Sequence, residues 1–239
     1  MTIALHKEET ERALHLLTRG EPDAIVEIRL LGRKKKTDIM SGYFDPPAFS
    51  TAARLLETLL RNSNYNCYVT MNSLHPGLIS RYYRRFEKYP SNTTTDSEVL
   101  KYRWIMMDFD PVRPSGINAT DDEKESAIEL SGQVKTFCVN NLKLKAPLEC
   151  ASGNGVHLLF PFDMPVNAEN IAFVKTLLNT LAQKFNNDRC KLDTANFNPA
   201  RITKLYGTLS GKGDDIAERP HRFSKITHIP QALLEANHE

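Results

Sequence analysis

Two aspartates, Asp108 and Asp110, close an otherwise apolar stretch that runs W-I-M-M-D-F-D-P from residue 104. The stretch predicts a β-strand, and because alternate residues of a strand share a face, both carboxylates should point the same way. Two like charges so close repel each other unless a cation neutralises them, and hard cations such as Mg²⁺ prefer carboxylate oxygens. The pattern indicates a metal site, with an exposed strand end carrying two solvated acids as the alternative.

A second group of residues forms the stretch Ser152-Gly153-Asn154-Gly155-Val156-His157. Two glycines permit a tight turn with exposed N–H groups, which suits phosphate oxygens. A simple hairpin turn and a hydrogen-bonded core histidine are the alternatives. We expect the strand of His157 to lie beside the strand of the two aspartates, and this adjacency favours the functional interpretation.

A third group lies between residues 193 and 208 and reads D-T-A-N-F-N-P-A-R-I-T-K-L-Y-G-T. Asp193 could supply a third carboxylate to the metals. Arg201 and Lys204 are three residues apart, so on a helical turn they would share a face suited to gripping a triphosphate. A further basic cluster follows at Arg219, His221 and Arg222. Taken singly, such cations are more often members of surface ion pairs.

The elements that position these residues follow from hydrophobic spacing and turn chemistry. The first part predicts a helix over 8–19, strands over 24–32, 38–44 and 67–74, and an exposed turn at 33–36. It also predicts a helix that is opened by Asp45 and Pro46 and carries an apolar face from Phe49 to Leu60. The second part predicts a strand over 103–109, a helix over 121–140, strands over 146–151 and 156–162, a helix over 168–186 and a strand over 203–209. Thr120 and Glu123 form a capping box for the helix that begins at 121.

This order predicts an α+β fold in which an N-terminal α/β unit, residues 1–98, packs on a catalytic core, residues 99–239. The core reads β-α-β-β-α-β, the split arrangement also used by RNA-recognition-motif (RRM)-like domains, with the first and third strands adjacent at the sheet centre. The two parts would form one catalytic domain, and the polar stretch 91–98 is the seam between them.

A basic stripe is predicted on a helix over 77–89. Arg81, Arg84, Arg85 and Lys88 fall at i, i+3, i+4 and i+7, so on a helix they would line one face. The stripe could be an ordinary solvated face, or it could follow the phosphates of a nucleic-acid strand.

Together, these motifs resemble those of the archaeo-eukaryotic primase superfamily, especially the primase-polymerases of phages, plasmids and other mobile elements. Its D-x-D motif matches Asp108 and Asp110, its small-residue turn ending in histidine matches residues 152–157, and its lone acid matches Asp193. An R-x-x-K-x-x-G-T element follows at 201–208. The stretches V-E-I-R, S-G-Y-F and Y-V-T-M-N, at 26–29, 41–44 and 68–72, resemble the leading unit of the family, so the resemblance covers nearly the whole chain. No zinc-binding insert is visible.

The resemblance implies the primase fold and a DNA-dependent primase-polymerase, which makes primers de novo on single-stranded DNA and extends them with NTPs and dNTPs during replication. Two Mg²⁺ or Mn²⁺ ions would bridge Asp108, Asp110 and Asp193 to the triphosphate, and no zinc is expected. His157, Arg201 and Lys204 would bind the β- and γ-phosphates. Further contacts are expected from Ser152, Asn154 and Arg222 to phosphate or sugar, from Asn72 to nucleotide or template, and from the basic stripe to template. A helicase, often found in the family, is a candidate partner.

Two alternatives remain open. Another D-x-D nucleotidyl or glycosyl transferase would explain Asp108 and Asp110, but it would not explain His157 combined with the R-x-x-K-x-x-G-T element. A catalytically degenerate primase-like module would bind nucleic acid without chemistry, yet all three acids and His157 are present.

The composition excludes some classes. The 239 residues are 41% hydrophobic and 25% charged, which is ordinary for a globular protein, and the net charge of +2 neither demands nor excludes a nucleic-acid partner. No apolar run approaches the ~18 residues of a membrane span, and the N-terminus lacks the order of a signal peptide. The cysteines are scattered without a C-x-x-C pair, at Cys67, Cys138, Cys150 and Cys190. A reduced, cytoplasmic protein is expected.

Overall fold

The computed structural model describes residues 4–35, 37–61 and 63–235. The predicted turn at 33–36 and the ends of the two predicted parts lie partly outside these residues. Within them, none of the helices combines the length and the apolar character needed to cross a membrane. All four cysteines are buried, free thiols.

Five α-helices and thirteen strands are assigned in the described residues. The helices are α1 (Lys7–Thr18), α2 (Phe49–Leu60), α3 (Asp121–Asn140), α4 (Ala168–Phe185) and α5 (Gln231–Glu235). The strands of the first half are β1 (Val26–Gly32), β2 (Ile39–Phe44), β3 (Tyr65–Thr70), β4 (Ser73–Leu74), β5 (Glu87–Lys88) and β6 (Val99–Pro111). Those of the second half are β7 (Leu148–Ala151), β8 (Val156–Pro165), β9 (Cys190–Leu192), β10 (Ile202–Lys204), β11 (Leu209–Ser210), β12 (Arg222–Phe223) and β13 (Lys225–His228).

The first sheet has the strand order β10-β3-β1-β2-β5, with antiparallel pairs throughout. Its alternate residues Val26, Ile28 and Leu30 are fully buried in the same core cluster as residues of α1 and α2. Helix α2 buries the apolar face expected from the sequence, from Phe49 to Leu60. Burial of this face stabilises the unit because its apolar side chains are removed from water when they pack on one side of the sheet.

The second sheet has the order β13-β7-β8-β6-β4, and β9 pairs with the far end of β6. Both faces of β6 are buried. Ile105 and Met107 pack with side chains of α3 and α4, whereas Trp104 and Met106 belong to the core of the first sheet. Strands β6 and β8 are neighbours, which confirms that part of the predicted topology. The capping box of Thr120 with the third helical residue of α3 is also confirmed.

The predicted strand over 203–209 is wrong as a single element of the second sheet. Its first part belongs to β10, which pairs with β3 in the first sheet, and its last residue begins β11, which pairs with β12. Strand β4 crosses the other way and pairs with β6. The chain therefore exchanges strands between the predicted parts, and the boundary at residue 98 stays a prediction.

The predicted helix over 77–89 is also wrong, and with it the basic stripe as a helical face. A 3₁₀-helix over Pro76–Ser80 gives way to an irregular path, in which Arg84 and Tyr89 have φ angles of 51° and 53°. Each cation pairs with an acid: Arg81 with Glu98, Arg84 with Asp45, Arg85 with Glu87 and Lys88 with Asp38. The four cations therefore do not form one helical face, and their contact with template phosphates stays a prediction.

Asn72 has a structural position rather than the predicted contact with nucleotide or template. Its side chain is buried, and its Oδ1 accepts from the N–H groups of Arg103 at 2.9 Å and Trp104 at 3.1 Å. Its Nδ2 donates to the carbonyl of Pro199 at 2.9 Å. The register of β6 against β8 shifts between Tyr102 and Trp104, so Asn72 satisfies the backbone of an irregular strand.

Removing this side chain should destabilise the fold. We expect Asn72→Ala to lower the free energy of unfolding by about 3 kcal/mol, because it leaves buried backbone groups without partners. Urea denaturation measures the change, with Asn179→Ala, at an exposed position of α4, as the matched control. A loss no larger than that of the control would show that Asn72 is not the structural link described above.

Candidate active site

A cavity of about 300 Å³ lies between the two sheets and collects most of the predicted site residues. The first sheet contributes Tyr68 and Lys204, and the second contributes Met106 beside the two aspartates of β6. The predicted residues on its wall are Asp108, Asp110, Asp193, His157, Arg201, Lys204, Ser152 and Asn154. Strand pairing thus brings residues that are distant in the sequence, such as Tyr68 and Lys204, to one place.

The third acid reaches the cavity through β9, a strand of three residues that the sequence analysis missed. The N–H of Asp193 donates to the carbonyl of Asp108 at 2.8 Å, which fixes the two residues side by side. The turn before β9 is closed by Asn187, whose Oδ1 accepts from the N–H groups of Arg189 and Cys190. The run Asn-Asn-Asp at 186–188 is the sequence signal that could have predicted this turn.

The donor chemistry of Asp108 and Asp110 fits a hard divalent cation. Among the residues that the structure describes, no three His, Cys, Asp or Glu side chains stand close enough together to hold one ion. Asp193 Oδ1 instead accepts from the N–H of Ala195 at 2.9 Å, and Asp110 Oδ1 lies 3.5 Å from Arg113 Nη2. Mg²⁺ is commonly held by one or two carboxylates together with substrate phosphates, so two acids on one strand face suffice for such a site. The part of Asp193 in metal binding stays a prediction.

His157 is buried between the two sheets and faces Asp108. Its Nε2 lies 3.4 Å from Asp108 Oδ1, and its Nδ1 lies 2.9 Å from the hydroxyl of Tyr206 and 3.2 Å from that of Thr203. Burial raises the pKa of Asp108, but His157, Lys212 and Arg201 together outweigh that effect, and the net pKa is lowered. The geometry keeps Asp108 ionised and oriented. The predicted phosphate contact of His157 stays a prediction.

Lys204 and Arg201 both reach the cavity, although not from the helical turn that was predicted. Lys204 ends β10 and Arg201 immediately precedes that strand. Lys204 Nζ lies 3.0 Å from the hydroxyl of Tyr68 and 4.2 Å from the centre of its ring. Burial lowers the pKa of Lys204 to about 8. Arg201 Nη2 donates to the carbonyl of Ala195 at 2.6 Å, and its buried Nε has no partner among the described residues.

The glycine turn is held from within. Ser152 N–H donates to the carbonyl of Gly155, and Gly155 N–H donates to Ser152 Oγ, both at 3.0 Å. Gly153 has a φ of 98°, and a Cβ at Gly155 would stand 2.1 Å from the carbonyl oxygen of Phe109. Asn154 Oδ1 accepts from a backbone N–H at 2.7 Å. Ser152 and Asn154 border the cavity, but these bonds show them shaping the turn, and their phosphate or sugar contacts stay predictions.

Lys212 is a cavity residue that the sequence analysis missed. It lies on the connection between β11 and β12, where its N–H donates to Asn118 Oδ1 at 2.8 Å. Its side chain borders both the main cavity and an adjoining one of about 200 Å³ beside Arg113. The sequence Gly-Lys-Gly at 211–213 could have drawn attention to a lysine on a flexible-backbone turn. Tyr68, Thr203 and Asn196 also border the cavity without having been predicted.

Arg222 is not brought to the cavity wall. Its guanidinium donates to the carbonyl of Ala119 at 2.6 Å and to Asp121 Oδ1 at 2.8 Å. Arg219, from the same basic cluster, pairs with Glu123 near the start of α3. The cluster therefore ties the β11–β12 connection to α3, and the predicted contact of Arg222 with phosphate or sugar is not supported by its position.

Comparison with known proteins gives similarity in structure alone. No protein-family model and no curated protein matches the sequence. The crystal structure of primase RepB' superposes with a TM-score of 0.51 and 9% identity, over 96% of this chain and 62% of that chain. The chain thus spans less than two thirds of the length of that protein.

Two further solved structures are similar at lower scores. The catalytic domain of primase RepB' in complex with initiator DNA has a TM-score of 0.48 and 9% identity, over 96% of this chain and 94% of that chain. The polymerase domain of Mycobacterium tuberculosis Ligase D in complex with DNA has a TM-score of 0.49 and 13% identity, over 91% and 81%. The similarity to primase RepB' confirms, at the level of the fold, the mixed α and β, primase-like architecture that the sequence motifs predicted.

Proposed function

We propose that this chain is a metal-dependent nucleotidyltransferase of the primase-polymerase type, acting on a single-stranded DNA template. The observation that carries the proposal is one cavity that places two carboxylates, Asp108 and Asp110, opposite two cations, Arg201 and Lys204. De novo primer synthesis, the use of both NTPs and dNTPs, an RRM-like core and a helicase partner belong to the same proposal.

Charge balance supports a metal–triphosphate ligand. Three acids on the wall, Asp108, Asp110 and Asp193, face three cations, Arg201, Lys204 and Lys212. The carboxylates would repel a triphosphate that bound alone, and the basic side chains would repel divalent cations that bound alone. A nucleotide that arrives with its divalent cations satisfies both halves of the cavity at once.

Different residues of the cavity would bind the metal ions and the phosphates. Asp108 and Asp110 would hold a Mg²⁺ or Mn²⁺ ion, with Asp193 as a third candidate ligand, and the bound ions would activate the attacking 3′-hydroxyl and stabilise the leaving pyrophosphate. Lys204 and Arg201 would bind the phosphates by charge-assisted hydrogen bonds. His157 keeps Asp108 oriented and ionised, since its Nε2 lies 3.4 Å from that carboxylate.

A primer-synthesis assay tests the proposal. The purified chain, given single-stranded DNA, all NTPs and dNTPs and either Mg²⁺ or Mn²⁺, should make extended products. Asp108→Asn should reduce the rate at least about 100-fold because the metal loses a charged ligand. Asp163→Asn, at an exposed acid on β8, is the matched control and should keep wild-type activity. DNA binding by the wild type without product in either metal would favour a degenerate binding module instead.

Nucleotide affinity should depend on pH through Lys204. With a pKa of about 8, the ammonium is protonated at pH 7 and mostly neutral at pH 9, so phosphate binding should weaken about tenfold between these values. Stability should move the other way: the unfolded lysine still binds a proton between pH 8 and 10, so folding becomes more favourable as pH rises through that range.

Calorimetric titration of dATP at both pH values measures this effect. Lys204→Arg retains its charge throughout and should bind dATP with little change between pH 7 and 9. An equal loss of affinity in wild type and Lys204→Arg would assign the pH dependence to another group.

A further inference from the structure

A second groove lies on the opposite face of the second sheet. Helix α3 contacts β6, β8 and β9, and α4 contacts α3 and β9. On the same side, the faces of the outer strands β7 and β13 form the floor of a groove of about 410 Å³, with α3 as its wall. The candidate active site opens on the other face of this sheet, so the groove can be occupied independently of it.

The groove has an apolar centre. Ala151 of β7 and Val156 of β8 are paired neighbours on its floor and are partly accessible. Ile128 on α3 is 49% exposed and faces the same space. Because Ile128 is so exposed, its side chain contributes little hydrophobic stabilisation to the fold. It could bury more apolar area against a partner.

Gly132 is unexplained by the packing of the chain itself. It lies in the middle of α3, a helix of 20 residues, where glycine is less favourable than alanine. A Cβ at this position would meet nothing within 4 Å. No described contact requires glycine here, but its bare backbone leaves the wall open, so another chain can approach α3 closely.

The charges around the groove are predominantly positive. Lys135 pairs with Glu149 across it at 2.9 Å, whereas neither Lys124 nor Lys225 forms an ion pair with any residue in the described part of the chain. Burial, followed by the positive charges of Arg222 and Lys225, lowers the pKa of Lys124, and these effects outweigh the opposing effects of Asp121 and Glu125.

The lining favours a peptide over a nucleic acid. Single-stranded nucleic acids are bound by stacking their bases on aromatic rings, and no aromatic side chain is among the described residues that line the groove. Aliphatic side chains flanked by lysines instead match a segment that carries both aliphatic and carboxylate groups.

We propose that this groove binds an acidic peptide segment of a partner protein. Its aliphatic side chains pack on Ile128, Ala151 and Val156, and its carboxylates pair with Lys124 and Lys225. The backbone of the segment passes over Gly132. The proposal is independent of the reaction at the candidate active site.

Panning of a random 12-residue phage-displayed peptide library on the full chain tests the proposal, with counter-selection on Gly132→Leu. The leucine fills the groove, and folding should be preserved because the space beside Gly132 is open. Enriched peptides should combine Asp or Glu with Leu, Ile or Val. Synthetic copies should bind wild type at least tenfold more tightly than they bind Gly132→Leu, Lys124→Glu or Lys225→Glu.

Two controls separate binding from folding. Gly132→Ala should raise the unfolding temperature while weakening peptide binding, a combination that a merely structural role would not give. Lys7→Glu, an exposed site on α1, should leave peptide affinity unchanged. Failure to enrich acidic aliphatic peptides, or equal binding to Gly132→Leu, would overturn the proposal. So would a result in which Lys124→Glu weakens binding of a labelled single-stranded oligonucleotide but leaves peptide binding intact.

Discussion

The pairing of β6 with β8 is the constraint on which the candidate site depends. It sets Asp108 opposite His157 and directs both side chains to the same side of the sheet. A slip of one residue would turn the side chains of the slipped strand to the other face. In β6, such a slip would move Asp108 from the cavity to the face on which Met107 packs with α3 and α4, and burying a carboxylate there would be costly.

Long-range strand pairing then completes the cavity from both sides. Strand β9 joins β6 and sets Asp193 beside Asp108, while β10 returns to the first sheet and presents Lys204 from the opposite wall. The acids thus belong to one sheet and Lys204 to the other. The spacing between them is therefore set by how the two sheets pack against each other.

The sequence could predict features determined by local spacing. The D-x-D pair, the face of α2 and the capping box of α3 all depend on neighbours a few residues away. It could not predict features set by distant partners. Arg84 lies outside any helix and pairs with Asp45, and the side chain of Asn72 is hydrogen-bonded to the backbone of β6. Strand β9 is too short for a periodic signal, yet pairing along β6 stabilises it.

The central claim is that Asp108 and Asp110 bind a metal ion together with a nucleotide whose phosphates meet Lys204. A crystal structure with Mn²⁺ and a non-hydrolysable nucleoside triphosphate tests it most directly, since anomalous scattering locates the ion. We expect an anomalous peak about 2.0–2.3 Å from oxygens of both carboxylates, with the triphosphate within hydrogen-bonding distance of Lys204. Metal and nucleotide bound elsewhere, with this cavity filled by water alone, would contradict the account.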